Sequence, residues 1–152
     1  MRMVTVGRPK DKMVGTLIHD YQTRLTVWSP LVWDVVPEVP YRSNQETYAR
    51  RTESDAVLSK ISPKEFVVLL DIDGEMVDSV ELSRRVTRWQ DQGQHLVFVI
   101  GGSLGVEDSV VQRAGWRWSL SRLTLPHALA QLVTVEQLYR AFAIAHHHPY
   151  HK

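Results

Sequence analysis

Two short apolar runs constrain this chain more than any other feature. Phe66-Val67-Val68-Leu69-Leu70 and Leu96-Val97-Phe98-Val99-Ile100 contain no polar residue. A strand with one face in water alternates apolar and polar side chains. An unbroken run of this length suits a strand covered on both faces, as in a parallel sheet. The first run stops at Asp71 and the second runs straight into Gly101-Gly102. Between them, Asp78-Ser79-Val80-Glu81 opens a helical pattern that lasts through Trp89, with Asp78 and Ser79 both able to cap it.

The rest of the chain repeats this alternation. Val4-Thr5-Val6 reads as a first strand stopped by Gly7. Met13, Leu17, Ile18, Tyr21 and Leu25 have helical spacing within 10–25. Leu31 to Val36 is β-branched and aromatic, and Pro37 and Pro40 close it. Residues 41–45 form a polar loop, and 46–61 a charge-rich helix stopped at Ser62-Pro63. A short helix starts at Glu107, and 116–125 is strand-like and then loop. A long amphipathic helix runs from His127 to about Ala145, and 146–152 is a tail. Strands alternating with helices predict one α/β domain over 1–152, with a mostly parallel sheet flanked by helices.

Several chemistries are excluded. With no Cys, there is no disulfide, thiol nucleophile or Cys-ligated metal. No apolar run nears the ~20 residues of a membrane helix, and the first residues lack the apolar core of a signal peptide. A cytoplasmic protein is expected. The net charge of +1 argues for no partner by itself, but the charge is uneven. From Ser109 onward the only acid is Glu136, against Arg113, Arg117, Arg122, Arg140, Lys152 and five of the seven His. This is either chance on solvated faces or a local surface for an anion such as RNA.

Ligands in open α/β sheets bind beyond the carboxyl ends of the strands. Ile100-Gly101-Gly102-Ser103-Leu104-Gly105 lies there, and glycine allows a ligand close to the backbone. The spacing matches neither the dinucleotide fingerprint nor a P-loop, so a tight turn without a ligand is the competing reading. Trp116 to His127 sets Ser119, Ser121, Arg122 and Thr124 among apolar residues, and Pro126 keeps Leu125 out of helical geometry. Such a loop suits a flat heterocycle whose polar edge is read by backbone groups. Asp71-Ile72-Asp73 could bind magnesium, but Asp73-Gly74 reads more simply as a turn. His146-His147-His148 lacks the carboxylate or Cys partners of a metal site, and no metal is expected.

These segments together resemble the RlmH family, bacterial SPOUT-class methyltransferases of the large ribosomal subunit. The residues that carry the likeness are Leu69-Leu70-Asp71, the Ile100–Gly105 loop, and Trp118-Ser119-Leu120-Ser121-Arg122-Leu123-Thr124-Leu125-Pro126-His127. Glu136-Gln137-Leu138-Tyr139-Arg140-Ala141 and the ending His148-Pro149-Tyr150-His151-Lys152 complete the set. The resemblance implies a SPOUT fold with a C-terminal deep trefoil knot and S-adenosylmethionine as cofactor. Leu70, Gly101, Leu120, Ser121, Arg122, Leu123, Thr124 and Leu125 would line the cofactor pocket. It implies a homodimer that methylates N3 of a pseudouridine in 23S rRNA of the assembled ribosome, with no DNA or membrane partner. Arg140, Tyr150 and His151 would be catalytic, and His127 and His148 would contact substrate. Tyr150 and His151 have a second reading, as residues that only pack at the dimer interface. Gln131 stands where the family often has a basic residue. The alternatives are another RNA target, or a ribosome-binding protein without activity.

Overall fold

The computed structural model describes residues 1–152. Its elements are β1 (Arg2–Val6), α1 (Lys12–Leu25), β2 (Val32–Val36), α2 (Glu46–Ser59) and β3 (Glu65–Glu75). They continue with α3 (Ser79–Asp91), β4 (His95–Ile100), α4 (Asp108–Arg113), β5 (Trp116–Trp118) and α5 (His127–Ala145). The two apolar runs pair side by side, Phe66 with Leu96 through Leu70 with Ile100. They belong to a five-stranded sheet of order β2-β1-β4-β3-β5 in which every pairing is parallel. The fold is α/β with the sheet flanked by helices, as the alternation of elements predicts.

Period-two geometry explains the unbroken runs. Leu96, Phe98 and Ile100 point into a core shared with Ile18 and Leu25 of α1, Leu82, Val86 and Trp89 of α3, and Val135, Leu138 and Phe142 of α5. Val97 and Val99 point the other way, toward Val57 of α2 and Val110 of α4. Both faces are therefore covered, and no residue of β4 beyond His95 reaches solvent. Asp78, and not Ser79, caps α3 by accepting from Glu81 N at 2.7 Å, while Ser79 donates to Gln137 of α5. No helix is long and apolar enough to cross a membrane.

The structure departs from the sequence reading at Asp73-Gly74. The segment is not a free turn but part of β3, which continues to Glu75. Leu70 and Glu75 both align with Trp118 of β5, so 71–74 bulge between them. Gly74 is pressed against β5: a Cβ there would lie 2.7 Å from the Arg117 carbonyl carbon and 2.9 Å from Ser119 N. Asp71 is drawn into an ion pair with Arg117 at 2.7 Å. It is a clamp on the β5 strand, with no metal-binding cluster formed around it.

Candidate functional site

The carboxyl ends of β3, β4 and β5 open into one cavity of about 800 Å³. Drug-sized ligands occupy pockets of roughly 300–1,000 Å³. β3 contributes its bulge, and β4 and β5 the loops that follow them. Within β3 the bulge gives Asp71, Ile72 and Asp73; after β4 come Gly101, Gly102, Ser103, Gly105 and Val106; after β5, Ser119 through Pro126 except Arg122. The start of α5 closes one side with His127 and Ala130.

Local chemistry shapes these loops. The β4 turn closes on itself, Gly105 N donating to Gly102 O at 3.0 Å. Gly105 adopts φ +73°, which favours glycine, and a Cβ on Gly101 would lie 2.6 Å from the Val106 side chain. In the β5 loop, Ser119 donates to Ser121 O and Ser121 Oγ accepts from Leu123 N, so serine hydroxyls satisfy a backbone outside any ladder. Leu123 is left 73% exposed at the mouth of the cavity, an apolar side chain without a cover.

The residues expected around a cofactor thus gather as one group. Leu70, Gly101, Leu120, Ser121, Leu123, Thr124 and Leu125 line the cavity, while Arg122 is exposed and outside it. The charge of the wall is one-sided. Asp71, Asp73 and Asp108 line it against Arg117, which is already paired with Asp71.

Burial works against a positive charge on His127. Gln131 Nε2 donates to Gly7 O at 3.1 Å and lies 2.6 Å from His127 Nε2. The bond to Gly7 O requires the amide nitrogen to be the donor, so His127 Nε2 accepts and Nδ1 keeps the proton, facing the Val6 carbonyl. Burial lowers the imidazole pKa, only partly opposed by that carbonyl and by Glu38 and Glu53.

A family model described as "Predicted SPOUT methyltransferase" matches residues 1–151. The chain belongs to the SPOUT methyltransferase family. Among proteins named ribosomal RNA large subunit methyltransferase H, it is 41% identical to that of Anaeromyxobacter sp. (strain Fw109-5), covering 100% of this chain and 99% of the relative. It is 36% identical to that of Xanthomonas axonopodis pv. citri (strain 306), covering 99% and 97%. Within SPOUT methyltransferases it belongs with this group. A solved structure of a probable methylase family protein from Haemophilus influenzae Rd KW20 shares the fold, with a TM-score of 0.59 and 12% identity over 99% of this chain and 70% of that one. The crystal structure of a probable methyltransferase from Bordetella pertussis Tohama I has a TM-score of 0.54 and 16% identity over 92% of each.

In this SPOUT family member the C-terminal set forms a second cluster away from the cavity. Arg140 lies thirteen residues beyond His127 on α5, about 20 Å at 1.5 Å per residue. Residues 146–152 are no free tail. His147 takes φ 53°, His148 N donates to Ala143 O, and His146 stacks on Trp28 at 5.4 Å. Tyr150 donates to Glu136 Oε1 at 2.9 Å and meets Tyr21 Oη at 3.0 Å. Arg140 donates to the same Glu136 oxygen through Nε and Nη2 and lies 4.7 Å over the Tyr150 ring. Burial first, then the bonds to Tyr21 and Glu136, raise the Tyr150 pKa, so this phenol donates protons and is no base. His151 Nδ1 is buried without a partner. Arg140 and Tyr150 are brought together on Glu136, His151 follows Tyr150 in the chain, and all three and His148 are outside the cavity of their own chain.

Two polar residues are buried where sequence reasoning did not place them. Gln131, at a position where the family often has a basic residue, is fully buried and ties α5 to Gly7, just past β1. Glu53 of α2 is 5% exposed. Its signal was available, since Ala49, Glu53 and Val57 recur every four residues and form one buried stripe.

Proposed function

We propose that this chain transfers a methyl group from S-adenosylmethionine to N3 of a pseudouridine in 23S rRNA of the assembled ribosome. It would act in the cytoplasm as a homodimer, with residues 1–152 as one unit. The observation that carries the reading is the cavity: glycines on its β4 side, an apolar β5 loop, and carboxylates in place of phosphate-binding cations. An acid-lined pocket disfavours nucleotide phosphates and suits a heterocyclic ligand that bears positive charge. The rRNA assignment rests on the names of the relatives.

S-adenosylmethionine supplies an already activated methyl group. Leu70, Leu120 and Leu125 would enclose its heterocycle, with Gly101 allowing close approach and backbone groups of the Ser121–Leu125 loop reading its edge. The protein's task is alignment of the target base and removal of its imide proton. Arg140 keeps Nη1 free of partners while Glu136 fixes the guanidinium, an arrangement suited to stabilising an imide anion. Tyr150 would orient the base as a donor. His151, with its unpartnered Nδ1, is the candidate proton acceptor. Because this cluster is remote from its own cavity, a second subunit is required to supply it. Exposed Met13 and Leu17, one turn apart on α1, and Leu129 on α5, all on one side of the sheet, suit that contact.

The test pairs calorimetry with S-adenosylmethionine and mass spectrometry of 23S rRNA after incubation with ribosomes from a strain lacking the activity. Binding together with a methylated pseudouridine is expected. Methylation of isolated tRNA but not ribosomes would replace this reading with another RNA target. Ribosome association without turnover would replace it with a binding protein.

A further inference from the structure

Glu53 stands just behind the cavity wall, 5% exposed and without a cation partner. Its Oε1 accepts from Val39 N at 2.8 Å, and its Oε2 makes no hydrogen bond. That second oxygen fills the space a Cβ on Gly102 would take, so the carboxylate abuts the glycine turn of the cavity wall from behind. Its neighbours leave it alone. Asp71 is neutralised by Arg117 and Glu38 by Lys10 at 3.0 Å. Asp73 and Asp108 are exposed, where water and salt weaken their fields. His127, which feels the Glu53 charge, has its pKa lowered by burial, and its Nε2 faces the Gln131 amide nitrogen.

A buried charge without a partner is costly and is seldom kept without a use. Low surrounding polarity also lets its field act across a distance that water would screen. We propose that Glu53 makes the cavity prefer a cationic sulfonium cofactor over its neutral thioether product, a role that rests on the cofactor assignment above. When the methyl carbon bonds to the imide nitrogen, the S–C bonding pair stays with sulfur. The imide proton has passed to a base on the protein. The ligand loses its positive charge in that step and keeps its shape. An attraction to Glu53 therefore holds the ligand before transfer and lapses after it, favouring exchange of product for fresh cofactor. Glu53 acts here as a specificity-determining residue in binding, with no part in proton transfer.

Calorimetric titration with S-adenosylmethionine and S-adenosylhomocysteine tests this in the full chain and in Glu53→Gln. Glutamine keeps the size and the acceptor for Val39 N while removing the charge. S-adenosylmethionine is expected to bind the variant roughly tenfold more weakly, with S-adenosylhomocysteine within about twofold of the parent. Unchanged affinity for both ligands, or equal weakening of both, overturns the proposal; equal weakening would direct Glu53 at the amino group the two ligands share. If Glu53→Gln does not fold, the parent is titrated with sinefungin, a cationic analogue, against S-adenosylhomocysteine, and absence of a preference for the cation overturns it. A parent that binds none of these ligands refutes the cofactor assignment itself, and this inference with it.

Discussion

Replacing Gly74 by alanine adds one methyl group where the chain has no room for it. The new Cβ would stand 2.7 Å from the carbonyl carbon of Arg117, 2.8 Å from its oxygen and 2.9 Å from Ser119 N. All three are backbone atoms, so no side chain can swing aside. Reaching an ordinary contact of about 3.5 Å requires β3 and β5 to part by roughly 0.8 Å. The bond from Ser119 N to Glu75 O, now 3.0 Å, would stretch beyond useful length. Overpacking of this kind costs about 1–3 kcal/mol, and a lost hydrogen bond about 1 kcal/mol more. Gly74→Ala should therefore lose roughly 2–4 kcal/mol, lowering Tm by about 4–16 °C in a chain of this size. Urea unfolding with an unchanged slope, followed by circular dichroism, measures it. Gly15→Ala is the matched control. Nothing lies within 4 Å of a Cβ at Gly15, in the interior of α1, so the same change should stabilise by about 0.5–1 kcal/mol. A Gly74→Ala protein within 0.5 kcal/mol of the parent would refute the argument that β5 is wedged against the bulge.

Tyr150→Phe removes the donor to Glu136 and the acceptor for Tyr21, and should cost about 1–2 kcal/mol by thermal unfolding. Because the native state raises the Tyr150 pKa, that residue contributes stability in full below its ordinary pKa, and the contribution is lost as pH rises through the raised value; the alkaline loss should shrink in Tyr150→Phe. His127 has the opposite sign. Its native pKa is lowered, so its contribution is complete above about 6.5 and fades as pH falls through the lowered value. Denaturant titrations from pH 8 to 5 should show that decline in the parent and a flatter profile in His127→Asn.

Part of this was legible in the residues themselves. The two apolar runs announced a doubly covered parallel sheet because burial on both faces removes alternation, and Gly101-Gly102 marked the ligand end because it follows such a run. The resemblance then drew together Leu70, Gly101 and the 120–125 loop, which do line one cavity apart from Arg122. Three features were hidden because they depend on contacts remote in sequence. Asp73-Gly74 has turn chemistry, but pairing with β5 more than forty residues later holds it in a strand. Gln131 looks like a polar helix residue until Gly7 O, 124 positions away, claims its amide. The histidine-rich end looks like a loose tail until Tyr21, 129 positions from Tyr150, anchors it.

The wedge of Gly74 against β5 also bears on the order in which the molecule is made. β5 and α5 are the last elements of the chain, yet α5 covers the face that α1 and α3 share, and β5 completes the sheet beside β3. Until residues 116–145 arrive, Phe66, Trp89 and the inner faces of α1 and α3 lack their cover, and the partly made protein presents a broad sticky surface. Pairings this distant in sequence are slow to form, and such exposed intermediates are prone to aggregate. The C-terminal segment that completes the cavity is thus also the one that ends the chain's most vulnerable interval, so truncations there should first appear as insoluble protein and only then as inactive protein.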